Sequence, residues 1–332
     1  MAKYVNDAFK EFMDEVVNLD PDVVSDAKDS RDNLIENIKE FDNDDFFHLY
    51  NEIHIEFGSF ARKTKMRPLD DIDLMIGISA DGATYNSFDS WEDVRVTASK
   101  TSTIQQNCTN VDGLLNSTMV LNMFKDKVAG LREYSRSELH RNGEAVTLNL
   151  KSREWAFDIV PCFQTVVEEN GRNYYLIPNG KGGWQKTDPR RDRDFVYRVD
   201  SKHNGKVKPL VRLCKKWFEV KKFSTPASYL METLIVRYCD QEESLNDYIR
   251  YRFINFLYYL KDAINNDVQD MKDIQDNINQ ISKADKEKIS ERAKLDNEKA
   301  YSAYIAETKE YDHEKAINLW GEVFGQDFPT YG

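Results

Sequence analysis

One stretch decides how this sequence folds: it reads GSFARKTKMRPLDDIDLMIGI and spans residues 58–78. Its second half, Asp71 to Ile78, alternates and then becomes wholly apolar, which predicts a β-strand. Residues i and i+2 of a strand point to the same face. Asp71 and Asp73 are therefore predicted to present two carboxylates side by side, while Ile72 and Leu74 point into the core.

A third carboxylate stands in a later strand-like segment, Trp155 to Val160. Asp158 is the charged residue of that apolar run, where an unpaired charge would be costly. Metal coordination explains its presence, since magnesium takes hard oxygen ligands such as carboxylates. Two such ions about 4 Å apart can activate an attacking hydroxyl and steady a leaving pyrophosphate. We predict that Asp71, Asp73 and Asp158 are catalytic and bind two Mg²⁺ ions, with Mn²⁺ as a substitute.

Gly58 and Ser59 precede the first carboxylate strand by about one short helix. Glycine lets the backbone approach a phosphate closely, and N–H groups at a helix start favour anions. Alone, an Asp-x-Asp pair usually lies on a solvated face, and a Gly-Ser pair says less. The combination of Gly-Ser, a basic linker, Asp-x-Asp in an apolar strand and a later buried Asp indicates a nucleotidyltransferase site.

Helical periodicity dominates both ends of the chain. Apolar residues from Phe9 to Val17 recur at helical spacing, Pro21 is expected to start a second helix, and a short helix is predicted from Asp44 through His54. Strand-like alternation returns at residues 145–150, after a predicted helix at residues 119–131. From Pro209 onward the pattern is helical. The layout is therefore mixed α/β first and mostly α afterwards, with a ligand cleft expected between two lobes.

Two further segments have unusual composition. Residues 171–205 are rich in Gly, Pro, Asn and Asp, which predicts a long, ordered loop of functional importance. Base-selecting side chains are expected in its first part, 171–190, and near Asn204. Residues 264–315 are highly charged with sparse apolar positions, which predicts a solvated helical hairpin or a partly mobile loop, with contact to a regulatory protein as the alternative.

Composition restricts the class of protein. The 332 residues carry a net charge of −12, so broad binding to a nucleic-acid backbone is disfavoured. No apolar run is long enough to span a membrane, and the N-terminus lacks an apolar signal region, so we expect a cytoplasmic protein without a membrane partner. The four cysteines are scattered, which predicts buried, reduced thiols rather than a zinc site.

At this point the sequence resembles the polymerase-beta-like nucleotidyltransferase superfamily, and within it the bacterial cGAS/DncV-like nucleotidyltransferases. The residues that carry the resemblance lie in segment 58–75 and in four later motifs: IPNG with Trp184 and TDP from residue 177, LVRLCKKW at 210–217, PASYLME at 226–232, and Trp320 through Pro329. The resemblance covers nearly the whole chain. It implies an α/β (α+β) catalytic lobe with a mixed sheet and N-terminal bracing helices at 1–204, and an oligoadenylate-synthase-like helical lobe at 205–332.

The resemblance also implies an activity and site roles. These enzymes join nucleoside triphosphates, without a template, into cyclic di- or trinucleotide second messengers for antiphage defence, and the product acts on a separate effector. Gly58 and Ser59 would hold the donor triphosphate, Lys215 and Ser228 would contact its phosphates, and Tyr229 would stack on its base. Lys208, Arg212 and Lys215 share one helix face by their spacing, although a solvated helix would show the same pattern. The zinc-binding insertion of the animal DNA sensor is absent, which argues against activation by double-stranded DNA.

Two alternatives remain open at this level. The chain could transfer a single nucleoside monophosphate to a small molecule, a protein or an RNA end. It could also be a non-catalytic nucleotide sensor on the same fold, although all three carboxylates are present. The product and the release of pyrophosphate distinguish these alternatives.

Overall fold

The computed structural model describes residues 1–43, 45–223 and 228–332, apart from the side chain of Asn51. Within these ranges the helices are α1 Val5–Phe12, α2 Pro21–Lys39, α3 Gly58–Ala61, α4 Thr103–Gln106, α5 Ser117–Ala129, α6 Pro189–Lys202, α7 Val207–Val220, α8 Ser228–Gln241, α9 Ile249–Ala263, α10 Lys283–Ile305 and α11 His313–Phe324. The strands are β1 Leu49–Ile55, β2 Asp71–Ile78, β3 Thr84–Tyr85, β4 Val96–Thr97, β5 Glu138–Asn142, β6 Ala145–Asn149, β7 Ala156–Gln164, β8 Tyr175–Pro178 and β9 Trp184–Thr187. The fold is mixed α/β with a helical C-terminal region, as predicted.

The chain divides into two compact units. A sheet unit contains residues 22–61 and 69–192, and a helical unit contains residues 1–21, 62–68 and 193–332. The basic linker after Ser59 thus belongs to the helical unit, although the strands around it belong to the sheet unit. The predicted domain ranges, 1–204 and 205–332, stay a prediction.

The sheet unit is built on a mixed sheet with the strand order β1-β2-β7-β6-β5, and β8 and β9 continue from β7. Strands β2 and β7 are parallel, whereas β1 pairs with β2 and β6 pairs with β7 in antiparallel fashion. Strand β2 has the predicted bounds because its even positions, such as Ile72 and Leu74, are buried on one face. The odd positions, Asp71 and Asp73, are half-buried on the other face.

The helical unit encloses a large apolar core. Helix α1 packs against α11, where the ring of Phe9 lies 4.8 Å from that of Trp320 and 5.1 Å from that of Phe328. The same core takes residues from α7, α8, α9 and α10. The four cysteines are buried and free of disulfides, as predicted.

The prediction of a helix from Asp44 through His54 is wrong. Residues Leu49–Ile55 form strand β1, which pairs with β2 through Ile55 opposite Met75. Asp44 itself lies outside the described residues. A short apolar run does not distinguish helix from strand by its spacing alone, and here the available edge of β2 decides the outcome.

The prediction of a long loop at residues 171–205 is also wrong. Strands β8 and β9 form a hairpin in which Pro178 pairs with Trp184, and α6 follows at Pro189. The Gly- and Asn-rich residues 179–183 form only the turn of this hairpin, because glycines such as Gly180 and Gly182 adopt positive φ angles there. The Gly and Asn residues of this turn gave the whole segment a loop-like composition, which is why a loop was predicted.

The charged segment 264–315 is not merely a solvated helix or a loop. Its main element, α10, packs against α9 and α11 and buries Ile289, Ala293, Ala300 and Ala303. Small residues let the helix approach its neighbours closely, so few large apolar side chains mark the buried face. The remaining buried residue of this face is the carboxylate of Asp296, which is fully buried.

Asp296 connects α10 to α7. Its carboxylate accepts hydrogen bonds from Nε1 of Trp217 at 2.8 Å and from Nε of Arg292 at 2.9 Å, and Nζ of Lys221 lies 3.1 Å away. Burial lowers the pKa of Lys221, and Asp296 opposes that shift. A buried carboxylate with this set of donors fixes the position of α10 along α7.

We predict that Asp296→Ala destabilises the protein by about 3 kcal/mol, because it leaves the buried Lys221 ammonium and the Trp217 N–H without their acceptor. Equilibrium urea unfolding, followed by far-ultraviolet circular dichroism, measures the change. The control is Glu322→Ala, which removes an exposed ion pair with Lys299 and should cost less than about 1 kcal/mol. Equal effects of the two substitutions would contradict the structural role of Asp296.

Candidate active site

Three carboxylates meet on one face of the sheet. The parallel register of β2 and β7 sets Asp73 directly beside Asp158, and Asp71 follows on the same face two residues earlier. One oxygen from each of the three carboxylates lies within 4.8 Å of the others, and all three residues are half-buried. The sequence prediction that these residues share a site is therefore met by the geometry, while their catalytic role stays a prediction.

Thr147 supports this cluster from the next strand. It lies opposite Asp158 in the antiparallel pairing of β6 with β7, and its Oγ1 donates a hydrogen bond of 2.6 Å to Oδ1 of Asp158. Thr147 is buried. The bond fixes one oxygen of Asp158 and orients the carboxylate. Thr147 was not predicted as a site residue, although its hydroxyl within the apolar run AVTL was a visible signal.

The face that carries the carboxylates becomes apolar two residues further along each strand. Met75 follows Asp73 and Val160 follows Asp158, and both belong to a buried cluster with Ile55, Ala145, Cys162, Tyr175 and Ile177. The carboxylates thus lie near the starts of β2 and β7, next to this buried apolar cluster. The three carboxylates are partly exposed, whereas the apolar residues behind them are buried.

Gly58 lies against the carboxylate of Asp73. Phe57 packs on the apolar cluster, and the chain then turns into α3 through Gly58, whose φ is +77°. A Cβ at this position would overlap Oδ2 of Asp73 and come within 2.6 Å of its Cγ. Only glycine permits this close approach, so the Gly58-Ser59 turn and the Asp73 carboxylate belong to the same site.

The donor set suits a hard divalent cation. The three closest groups are all carboxylates, which are the oxygen ligands that Mg²⁺, Mn²⁺ and Ca²⁺ prefer. A divalent cation bound among them would be held by all three carboxylates at once. The cluster can therefore hold a divalent metal ion.

The other predicted nucleotide contacts lie in the helical unit. Ser228 is the first residue of α8 and is exposed, and Tyr229 follows it. The hydroxyl of Tyr229 donates a 2.6 Å hydrogen bond to Oδ1 of the buried Asp270, and the Lys272 ammonium lies 4.7 Å from the ring centroid. Two residues of the same motif, Pro226 and Ala227, lie outside the described residues. The nucleotide-binding roles of Ser228 and Tyr229 stay predictions.

The basic residues that share one face of α7 each have partners in the helical unit. Lys208 pairs with Asp200 at 3.1 Å, and Arg212 donates to Oδ1 of Asn18 and to the carbonyl of Lys63. Nζ of Lys215 lies 2.8 Å from Oε2 of Glu232 and 3.1 Å from the carbonyl oxygen of Thr64. The three residues do share one helix, as predicted, but they are not a solvated stripe.

A mixed sheet that brings Asp-x-Asp and a third carboxylate together beside a Gly-Ser turn defines a nucleotidyltransferase of the polymerase-beta-like type. No family model matches the chain. A probable cyclic nucleotide synthase of Bacillus cereus strain VD146 is 36% identical over 335 residues, which cover 100% of this chain and 99% of that protein. This chain belongs to the cyclic nucleotide synthases, the bacterial cGAS/DncV-like family of nucleotidyltransferases.

More distant relatives agree with this assignment. A cyclic AMP-AMP-AMP synthase of Acinetobacter sp. strain ATCC 27244 / 9458 is 26% identical over 215 residues, 60% of this chain and 57% of that protein. Two structures of CdnC from E. coli MS115-1, one in a complex with HORMA-deltaN and one with ATP, superpose with TM-scores of 0.70 and 0.68. Each is 18% identical and covers 98% of both chains, which shows the shared fold.

Among the described residues, no helix combines the length and the apolar character needed to cross a membrane.

We predict that Gly58→Ala abolishes most activity, because the added methyl group displaces the Asp73 carboxylate, and a shift of about 1 Å costs about 100-fold in rate. Release of pyrophosphate from nucleoside triphosphates measures the effect. The matched control is Gly171→Ala, since Gly171 has nearly the same φ of +76° but no atom within 4 Å of its Cβ position. Both substitutions carry the same backbone strain, so equal losses of activity would contradict the role of the close approach.

We predict that Thr147→Val weakens metal binding by about 10-fold, because a lost hydrogen bond to a ligating carboxylate typically costs 10- to 100-fold. Titration with Mn²⁺, followed by electron paramagnetic resonance, measures binding without catalysis. Thr109→Val is the control, since that hydroxyl donates to a local carbonyl, that of Gln106. Unchanged Mn²⁺ affinity in Thr147→Val would show that the bond to Asp158 does not orient a metal ligand.

Proposed function

We propose that this enzyme joins nucleoside triphosphates into a cyclic di- or trinucleotide and releases pyrophosphate, without a template. The observation that carries the proposal is the cluster of Asp71, Asp73 and Asp158, with ligand oxygens within 4.8 Å of one another. The names of its relatives support a cyclic product, and one of those names specifies AMP units. ATP is therefore the first substrate to test.

The proposed reaction is an in-line displacement at phosphorus. The ribose hydroxyl oxygen of one nucleotide forms a bond to the α-phosphorus of a second, and the bond between that phosphorus and the bridging oxygen breaks. Pyrophosphate leaves with the electron pair, and the hydroxyl proton passes to solvent. The linear dinucleotide then turns around, and a second displacement, which releases a second pyrophosphate, closes a dinucleotide ring; a trinucleotide ring needs one further addition before it closes.

The residues of the chain supply position and charge. Two Mg²⁺ ions, when bound, would lower the pKa of the attacking hydroxyl and neutralise the leaving pyrophosphate. Asp71, Asp73 and Asp158 would hold these ions, with Asp158 on the side of the attacking hydroxyl, and Thr147 orients the Asp158 carboxylate. The apolar cluster behind them excludes water from one side of the site.

The remaining site residues would hold the donor nucleotide. Gly58 lies beside Asp73, and Gly58 and Ser59 would hold the donor triphosphate there through backbone N–H groups and the Ser59 hydroxyl. Lys215 and Ser228 would contact its phosphates, and Tyr229 would stack on its base, since every base has a π face.

The family supports a biological setting for the reaction. We propose that the product is a second messenger in antiphage defence, that it acts on a separate effector, and that the reaction takes place in the cytoplasm. A protein regulator is consistent with the HORMA-deltaN complex of the E. coli structure. The net charge of −12 disfavours double-stranded DNA as the activator.

The test is an incubation of the purified protein with all four α-labelled triphosphates and Mg²⁺, then phosphatase treatment and mass spectrometry. We expect a phosphatase-resistant cyclic product and stoichiometric pyrophosphate, and no stimulation by added double-stranded DNA. Label on the protein or on an added RNA would contradict the proposal and favour transfer to an acceptor. Binding of triphosphate without release of pyrophosphate, in Mg²⁺ or Mn²⁺ and with a regulator present, would favour a sensor.

We predict that Asp73→Asn lowers the rate of pyrophosphate release by more than about 100-fold, because it removes a charged ligand from the cluster. Asp70→Asn is the control: it makes the same chemical change at an exposed residue that precedes the strand. The amide preserves the size of the side chain, so circular dichroism should not distinguish the variants. Activity of Asp73→Asn close to that of Asp70→Asn would remove the cluster from the mechanism.

A further inference from the structure

A fully buried carboxylate, Glu232, lies in the first half of α8. Its neighbours Met231 and Thr233 are also buried, so an unpaired charge there would be very unfavourable. Three donors surround it: Nε of Arg62 at 2.6 Å and Oγ1 of Thr64 at 2.9 Å contact Oε1, and Nζ of Lys215 at 2.8 Å contacts Oε2. All four residues belong to the helical unit.

The cluster holds two cations on one anion. The side chains of Arg62 and Lys215 are 7% and 10% exposed, so both charges are largely desolvated. Burial alone would raise the pKa of Glu232, but Arg62 and Lys215 outweigh it and hold that pKa at about 2. A phosphate is the ligand class that a lysine ammonium or an arginine guanidinium contacts through charge-assisted hydrogen bonds.

The geometry leaves Lys215 one N–H group for a ligand. An ammonium has three donors, and among the described residues Nζ contacts two acceptors, Oε2 of Glu232 and the carbonyl oxygen of Thr64. The ammonium cannot rotate freely while both bonds hold. Its last N–H therefore has a fixed direction before any substrate arrives.

We propose that Glu232 is a positioning residue for nucleotide binding: it fixes the Lys215 ammonium and the Arg62 guanidinium so that Lys215 presents its remaining N–H to the phosphates of the donor nucleotide. The inference rests on the proposed function, because the ligand is the triphosphate. It goes further in assigning a role to an acidic residue that does not itself touch the substrate. A merely structural Glu232 would hold residues 62–64 to α8 with no consequence for Lys215.

The charges around Lys215 give this role a measurable signature. Burial lowers the pKa of Lys215, Glu232 of α8 opposes that shift, and Arg62 and Lys65 of the linker reinforce it. A lysine that must be protonated to bind phosphate loses its contribution as the pH rises through its pKa. Nucleotide affinity should therefore fall on the alkaline side, at a pH that these neighbours set.

The experiment measures the binding of α,β-methylene ATP, with Mg²⁺, as a function of pH. Glu232→Gln preserves the shape but removes the opposing charge, so we expect at least about 10-fold weaker binding and an alkaline fall that moves down by about one pH unit. Arg62→Gln removes a repelling cation, so its alkaline fall should move up instead. Glu219→Gln is the matched control: this partly exposed residue on α7 pairs with Lys216, and the change should leave the profile unmoved.

Opposite shifts in the two variants would support the positioning role, since loss of packing cannot move the profile in two directions. If the wild type binds the analogue and the pH at which affinity falls is the same in both variants as in the wild type, the inference is wrong. The Arg62→Gln arm decides the matter if Glu232→Gln fails to fold. If the wild type binds neither the analogue nor ATP, the proposed function fails as well, which is a distinct result.

Discussion

The structure depends most on the parallel pairing of β2 with β7. Its register sets Asp73 against Asp158, and a slip of one residue would turn one of these carboxylates to the opposite face. Two further residues of the site contact this pair of aspartates. Thr147 reaches Asp158 because β6 pairs on the far side of β7, and Gly58 reaches Asp73 because β1 pairs on the far side of β2.

Charge is handled in opposite ways in the two units. In the sheet unit, one oxygen from each of three carboxylates lies within 4.8 Å of the others, an arrangement that suits a divalent cation. In the helical unit, buried acids hold cationic side chains: Glu232 with Arg62 and Lys215, and Asp296 with Lys221 and the partly exposed Arg292. Such buried pairs gain little net stability but fix geometry when all their donors and acceptors are satisfied. An acidic protein can thus hold individual cationic side chains in fixed positions.

The sequence was sufficient for the elements whose pattern is local. The bounds of β2 follow from its alternation, and the single carboxylate in an apolar run marks Asp158. Strand β1 was missed because its residues suit helix or strand and only the neighbouring edge of β2 selects between them. The buried state of Asp296 was missed for a related reason, since its partners Trp217 and Lys221 lie on a helix distant in sequence. Thr147 carried a visible signal, but its register with Asp158 required the sheet.

The central claim is that the three carboxylates form a metal site for nucleotide transfer. The most direct measurement is anomalous diffraction from crystals grown with Mn²⁺ and α,β-methylene ATP. We expect two Mn²⁺ peaks between Asp71, Asp73 and Asp158, bridged by the phosphates of the analogue. Mn²⁺ bound away from these residues, or an ordered nucleotide with no metal at them, would contradict the claim.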